Sequence, residues 1–148
     1  AGDNPLPSAA LLPGVNAVLD LAHAAGIKLA LENIQDWVDE IFFNAPQNVA
    51  RFLRDMNHPA LGFTLDLMHA KVPGLLDEFV HLLSADILNI HAADLLLPIK
   101  RVPVGKGVID WHQLVPRLQA LPNLRQITVE LSNPQPEELI RSIELLSA

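Results

Sequence analysis

Leu61-Gly-Phe-Thr-Leu-Asp66 is one of four short apolar runs in this chain that end in a side chain able to bind a metal. The other three are Leu29-Ala-Leu-Glu32, Leu88-Asn-Ile-His91 and Ile127-Thr-Val-Glu130. A carboxylate directly after such a run loses hydration on burial unless it is paired or bound to a metal. If the runs are parallel strands, their C-terminal ends lie at one edge of a sheet, where α/β folds build active sites. The repetition therefore predicts one shared site.

Amphipathic segments separate the apolar runs. Pro13 opens the first segment and Gly26 ends it, Asp36 can cap a short helix over residues 36–43, and further helical patterns follow Pro46, Pro73-Gly74, Asp110 and Pro136. The predicted strands cover residues 27–31, 61–65, 87–90 and 126–129, and a long loop is expected before Asp110. The order α(βα)₄ predicts an α/β fold with a parallel sheet covered by helices, forming a single domain over residues 1–148.

Composition limits the possible partners. The chain has 148 residues, 50% of them hydrophobic and 18% charged, which is typical of one globular domain. The absence of cysteine leaves only oxygen and nitrogen ligands for a metal, and a net charge of −7 without a cluster of Lys and Arg opposes nucleic-acid binding. No apolar stretch reaches the roughly 18 residues of a membrane span, and the N-terminus lacks signal-peptide features. We therefore expect a cytoplasmic protein without membrane contact.

Five motifs, in this order, resemble the xylose isomerase-like barrels, a family that includes sugar isomerases, sugar 3-epimerases and endonuclease IV. The motifs are Leu29-Ala-Leu-Glu32-Asn33, Leu61-Gly-Phe-Thr-Leu-Asp66-Leu-Met-His69-Ala70, Ile90-His91-Ala-Ala-Asp94, Gly105-Lys-Gly-Val-Ile-Asp-Trp111 and Thr128-Val-Glu130. A complete (β/α)₈ barrel has about 250 residues. The resemblance therefore implies that the chain corresponds to strands five to eight, the C-terminal half of a TIM-barrel fold.

The resemblance also implies the roles of individual residues. Glu32, Asp66, His91 and Glu130 would be the ligands of one divalent metal ion, with Mn, Mg, Co and Zn all compatible with this donor set. Glu32 and Glu130 would also be the acid and base that isomerise or 3-epimerise a small-molecule sugar substrate. His69 and Arg101 would contact that sugar, whereas Asp94 is expected to be a loop residue or to orient His91.

Other interpretations of the same residues stay open. A carboxylate at a strand end can instead cap the next helix, and a lone His91 can be a hydrogen-bonded core residue, so the metal hypothesis depends on the whole set. An endonuclease IV-like phosphodiesterase needs further ligands, and residues 99–104 contain no histidine or carboxylate. A third possibility is a non-catalytic binding or assembly module.

Half a barrel exposes two sheet edges and one face meant for the interior. Nine apolar residues lie in strands that a full barrel would bury on both faces, and half of the interior-facing set is expected to form an uncovered apolar patch. These residues are Ile27, Leu29, Leu31, Phe63, Leu65, Leu88, Ile90, Ile127 and Val129. We therefore expect a homodimer or association with a missing N-terminal half.

Overall fold

The computed structural model describes residues 11–34, 42–70, 73–96 and 100–148. Within these ranges the helices are α1 (Leu12–Ala24), α2 (Pro46–Met56), α3 (Pro73–Leu83), α4 (Trp111–Gln119) and α5 (Pro136–Leu146), with one 3₁₀ turn at Phe42–Asn44. The strands are β1 (Leu29–Glu32), β2 (Leu61–Asp66), β3 (Ile87–Ala92), β4 (Asp94–Leu96), β5 (Lys100–Val102) and β6 (Gln126–Val129). None of the helices in the described ranges combines the length and apolar character that a bilayer span requires.

The main sheet has four parallel strands in the order β1-β2-β3-β6. This confirms the predicted parallel sheet with helical connections. Three strands are longer at their C-terminal ends than the apolar pattern predicted: β1 includes Glu32, β2 includes Asp66 and β3 includes His91. The backbone ladder thus continues through these three side chains, which places them at one edge of the sheet.

Local signals explain most element boundaries. Gly26 has a φ of 69° and follows α1 as a left-handed residue, so the Ile27 N–H bonds the Ala22 carbonyl at 2.8 Å and ends the helix. Ile27 therefore belongs to the helix-terminating turn, and β1 begins at Leu29 rather than at residue 27. Asp110 caps α4 as predicted by accepting from Gln113 N at 3.2 Å. Most of the helix expected over residues 36–43 lies outside the described residues. The described part at its end is a 3₁₀ turn, Phe42–Asn44.

The two faces of the sheet differ in polarity. Phe63, Leu65 and Ile90 are fully buried in the main core between the sheet and the helices. Strand alternation and register place Ala30, Glu32, Gly62, Thr64, Asp66, Asn89, His91, Gln126 and Thr128 on the opposite face. Leu29, Leu31, Ile127 and Val129 also pack against core clusters. Seven of the nine apolar residues therefore point to the helices, and the open face is mainly small or polar, so the expected uncovered apolar strand face is largely wrong. Leu88 is the exception within the strands, because its side chain lies over Gly62 on the open face.

The long loop expected after β3 contains an antiparallel hairpin. Strands β4 and β5 pair with Leu95 opposite Arg101. The Asp94 carboxylate accepts hydrogen bonds from three backbone N–H groups, those of Leu95 (2.8 Å), Gly105 (3.1 Å) and Ile109 (3.1 Å), and from Trp111 Nε1 (2.6 Å). Three-residue strands are too short to show a periodic pattern, so the sequence did not reveal the hairpin. The expectation that Asp94 is a loop residue or orients His91 is wrong, since Asp94 lies in β4 and its carboxylate accepts these four hydrogen bonds instead.

Gly107 packs so closely on Asp94 that a side chain has no room. A Cβ at this position would overlap the Asp94 carboxylate and the Leu95 carbonyl oxygen, whereas a Cβ on Gly74 in α3 meets nothing within 4 Å. We expect Gly107→Ala to lower the free energy of unfolding by about 1–3 kcal/mol, the usual cost of overpacking. Gly74→Ala is the control and should be neutral or stabilising by up to about 1 kcal/mol. Urea unfolding of both variants measures the difference, and equal stabilities would contradict this account.

Candidate metal centre

The four side chains predicted to share a site converge at the C-terminal edge of the parallel sheet. One ligand atom from each of Glu32, Asp66, His91 and Glu130 lies within 4.8 Å of the other three. Strand register produces this arrangement, since Asp66 is paired with His91 across β2 and β3. Glu130 follows β6, and its N–H still bonds the Ala92 carbonyl at 3.0 Å, which keeps it in line with the ladder.

His91 lies between the two glutamates. Its Nδ1 atom is 3.2 Å from Glu32 Oε1 and 3.4 Å from Glu130 Oε2. The same ring nitrogen therefore faces both carboxylates, which come from opposite edges of the sheet. An imidazole nitrogen at this point can neutralise the carboxylates when it carries a proton, or offer its lone pair to a cation when it does not.

Asn33 extends the sheet beyond the end of β1. Its side-chain Nδ2 donates to the Asp66 carbonyl at 2.9 Å, and its Oδ1 accepts from the Asp66 N–H at 2.8 Å. The amide thus replaces a further strand residue and holds the backbone of a predicted ligand. Asn33 is fully buried. The sequence places Asn33 directly after Glu32, and that position was the only local signal of this role.

The Asp66 carboxylate and His69 are held by the turn that follows β2. Asp66 Oδ1 accepts from the N–H groups of Met68 (2.7 Å) and His69 (3.1 Å). His69 Nδ1 lies 2.7 Å from the Asn33 carbonyl oxygen, which can only accept, so this nitrogen carries the proton. In the neutral ring Nε2 is then a free acceptor. The structure brings His69 to the cluster, with Nδ1 3.6 Å from Asp66 Oδ2 and 3.8 Å from Glu32 Oε1.

Arg101 also reaches the cluster, from the β4–β5 hairpin. Its Nη1 atom donates to the Glu130 carbonyl at 3.0 Å and lies 2.8 Å from Glu130 Oε2. Its Nη2 atom is 3.4 Å from Asp66 Oδ2. The residue predicted to contact substrate is therefore placed at the site, where its guanidinium pairs with two of the four clustered side chains.

Burial and charge act in opposite directions on the two carboxyls beside Arg101. Burial raises the pKa of Asp66 above its ordinary value, although the nearby His69 and Arg101 oppose this shift. Burial also acts to raise the pKa of Glu130, but the hydrogen bond and positive charge of Arg101 outweigh it and hold that pKa below its ordinary value. The guanidinium therefore stabilises the ionised form of Glu130 in a partly desolvated site.

The donor set fits a divalent cation. Three carboxylates and one imidazole provide oxygen and nitrogen ligands, which suit Mn²⁺, Mg²⁺, Co²⁺ and Zn²⁺ to different degrees. Within the part of the chain that the structure describes, Glu130 Oε2 is a buried atom without a well-aligned hydrogen bond, despite its proximity to Arg101. This oxygen is therefore held by the charge of Arg101 in the structure, and it is one of the oxygen donors that a cation at this site would use.

The parallel βα units, with an acidic and imidazole cluster at their C-terminal edge, define a protein of the (β/α)-barrel class. The sequence profile of the family described as xylose isomerase-like TIM barrel matches residues 9–148, so the chain belongs to this family. The resemblance read from the five motifs is thereby confirmed.

Individual relatives agree with this assignment. The uncharacterized protein MJ1311 of Methanocaldococcus jannaschii is 25% identical over 136 residues, which are 89% of this chain and 45% of that protein. A solved D-tagatose 3-epimerase-like protein shares 25% identity with a TM-score of 0.75, covering 90% of this chain and 50% of that one. The 3-keto-D-glucoside 4-epimerase YcjR from E. coli shares 19% identity and a TM-score of 0.73, covering 91% and 51%, and at this identity the likeness concerns the fold alone. The chain thus spans about half the length of these relatives.

The Asn33 clamp leads to a stability prediction. Asn33→Ala leaves the buried N–H and C=O of Asp66 without these partners, at a cost of about 1–3 kcal/mol for each group. Asn123→Ala is a matched control, because it removes one exposed hydrogen bond of 2.7 Å to the Ala85 carbonyl and should cost no more than about 1 kcal/mol. Denaturant unfolding compares the two variants. A loss for Asn33→Ala no larger than that of the control would contradict the clamp.

Proposed function

We propose that this chain forms the metal-binding half of a divalent-metal-dependent isomerase or epimerase acting on a sugar or sugar derivative. The observation that carries the proposal is the convergence of Glu32, Asp66, His91 and Glu130 within 4.8 Å at the catalytic edge of a (β/α) fold. These four residues are the proposed metal ligands. The similarity to a D-tagatose 3-epimerase-like protein supports sugar as the substrate class.

When bound, the divalent cation supplies a Lewis acid that stabilises negative charge on substrate oxygens. In the proposed reaction, one of Glu32 and Glu130 removes a proton from the carbon next to the sugar carbonyl. In an epimerisation the other glutamate returns a proton to the opposite face of that carbon. In an isomerisation the proton returns to the neighbouring carbon while a hydroxyl proton passes between the two adjacent oxygens, so that no proton is gained or lost overall. The two glutamates come from opposite edges of the sheet, which suits roles on opposite sides of one substrate.

His69 and Arg101 are the proposed substrate contacts. The Nδ1–Asn33 bond leaves Nε2 of the neutral His69 ring able to accept a hydrogen bond from a sugar hydroxyl. The Arg101 guanidinium presents several donors in a fixed plane and can polarise a hydroxyl or bind a charged group.

Within the described residues, Glu32, Asp66, His91 and Glu130 are the single group of three or more metal-type ligands. This gives no support to the multinuclear site of an endonuclease IV-like phosphodiesterase.

The proposed enzyme needs a complete barrel. Strands β1 and β6 are the two edges of the sheet, and the helices beside them leave Leu21 and Val18 of α1 and Ile140 and Ile143 of α5 more than half exposed. An apolar groove of about 590 Å³ lies next to β1. Apolar flanks at both edges are what a missing N-terminal half, or a second copy of the chain, would cover. We propose one of these as the partner.

Metal titration tests the site. We expect Mn²⁺ to bind saturably with about one ion per chain, as measured by the loss of the free-ion EPR signal. Glu130→Gln should weaken this binding at least about tenfold without abolishing it, because three ligands stay in place. Glu144→Gln, on the exposed surface of α5, is the matched control and should leave binding unchanged. A chain that binds no Mn²⁺ saturably would instead be the non-catalytic module considered from the sequence.

Catalysis is expected only from the assembled barrel. Sedimentation first determines whether the chain pairs with itself or requires an N-terminal half supplied in trans. In the assembly that forms, a ketose should exchange its carbon-bound proton with deuterated solvent, and Glu130→Gln should slow this exchange by about 10²–10⁴-fold, the usual contribution of a general acid or base. Exchange at the wild-type rate in this variant would exclude the assigned role of Glu130.

A further inference from the structure

Asp94 is a wholly buried carboxylate that does not belong to the proposed metal ligands. Its four hydrogen-bond donors all come from residues 95–111, namely the N–H groups of Leu95, Gly105 and Ile109 and the indole of Trp111. Gly105 has a φ of 82° and Gly107 has no room for a Cβ beside this carboxylate. The two glycines and Trp111 thus allow the segment between β5 and α4 to pack against Asp94.

Arg101 lies in β5, the strand that pairs with the one containing Asp94. It pairs with Leu95, the residue directly after Asp94. Leu95 is anchored in a small buried cluster with Met68 and Ala93, and its carbonyl accepts from Val108 N at 3.0 Å. The hairpin backbone is therefore held on both sides, by the Asp94 hydrogen bonds and by the packing of Leu95. Loss of the Asp94 hydrogen bonds or of the Leu95 packing would therefore allow β5, and Arg101 with it, to move.

The Arg101 guanidinium lies beside carboxylate oxygens of two proposed metal ligands. It lies 2.8 Å from Glu130 Oε2 and 3.4 Å from Asp66 Oδ2. A fixed positive charge at this distance lowers the attraction of the cluster for a divalent cation, and it does so more strongly in a partly buried site than in water.

We propose that Asp94 is a positioning residue for the metal centre: it holds the hairpin so that Arg101 acts as an internal counter-cation, which competes with the metal for Asp66 and Glu130. Metal binding then releases the guanidinium from these carboxylates, and the released group becomes available to substrate. The proposal rests on the metal centre proposed above. It adds a residue that touches neither metal nor substrate.

Positioning and simple structural support differ in the sign of their effect. If Asp94 only stabilised the fold, its loss would loosen the site and weaken metal binding. If Asp94 acts through Arg101, its loss removes a competing charge and strengthens metal binding, and the effect disappears once Arg101 is neutral. A double-mutant cycle separates these cases, because two residues that act through one interaction are not additive.

The experiment measures Mn²⁺ affinity by EPR in the wild-type chain, Arg101→Met, Asp94→Asn and the double variant. We expect Arg101→Met and Asp94→Asn to bind Mn²⁺ more tightly, Arg101→Met by at least about fivefold, which is within the usual range of coupling between two sites. The double variant should match Arg101→Met. Asp110→Asn is the matched control, because it makes the same chemical change at the N-cap of α4, where asparagine can still accept the Gln113 hydrogen bond. It should leave the Mn²⁺ affinity unchanged. Trp111→Phe removes one of the four bonds and serves as the milder variant if Asp94→Asn does not fold.

Phenylglyoxal labelling of Arg101, mapped by mass spectrometry, gives a second readout that needs no metal. Arg101 should be protected in the metal-free wild type relative to the exposed Arg54, and should become reactive in Asp94→Asn or when Mn²⁺ is added. Tighter Mn²⁺ binding together with this exposure supports the proposal. A wild-type chain that binds Mn²⁺ while Arg101→Met or Asp94→Asn binds it equally or more weakly overturns this inference alone, and a wild-type chain without saturable binding overturns the metal centre as well.

Discussion

The crowding of three carboxylates at one edge of the sheet is the constraint on which the rest of this structure depends. Glu32, Asp66 and Glu130 bring ligand atoms within 4.8 Å of one another, where their negative charges repel and water is partly excluded. Such a group is stable only with positive charge among it. Arg101 provides that charge, with its guanidinium 2.8 Å from Glu130 Oε2 and 3.4 Å from Asp66 Oδ2.

Several features far apart in the sequence act on this one problem. The parallel register aligns Asp66 with His91, and the Asn33 amide continues the ladder where β1 ends. Strand β5 brings Arg101 to the site from outside the main sheet, and Asp94 of the paired strand β4 accepts hydrogen bonds from Gly105 and Trp111. The site is therefore formed by both the parallel sheet and strand β5, because the sheet provides the carboxylates and β5 provides the positive charge of Arg101.

The open sheet face is more polar than the interior of most barrels of this class. Barrel interiors are usually filled by layers of bulky branched side chains. Here most residues below the four clustered side chains are small or polar, including Thr128, whose hydroxyl lies 3.3 Å from Asn89 Oδ1, and Leu88 is an apolar exception. The exposed apolar surface lies instead beside the edge strands, on α1 and α5. The apolar surface exposed to solvent thus lies mainly at the flanks of the sheet rather than on its open face.

The sequence by itself determined the parallel sheet and the members of the cluster, because an apolar strand that ends in a carboxylate or imidazole is a local pattern repeated four times. It did not reveal the inward turn of Asn33, the hairpin or the contacts of Asp94, since these depend on partners up to 33 residues away, and three-residue strands carry no period. The polarity of the open face was also misjudged, because alternation defines two faces without saying which one the helices cover. Only the tertiary structure decided that Arg101 lies against Glu130 and Asp66, since these partners are 29 and 35 residues away in the sequence.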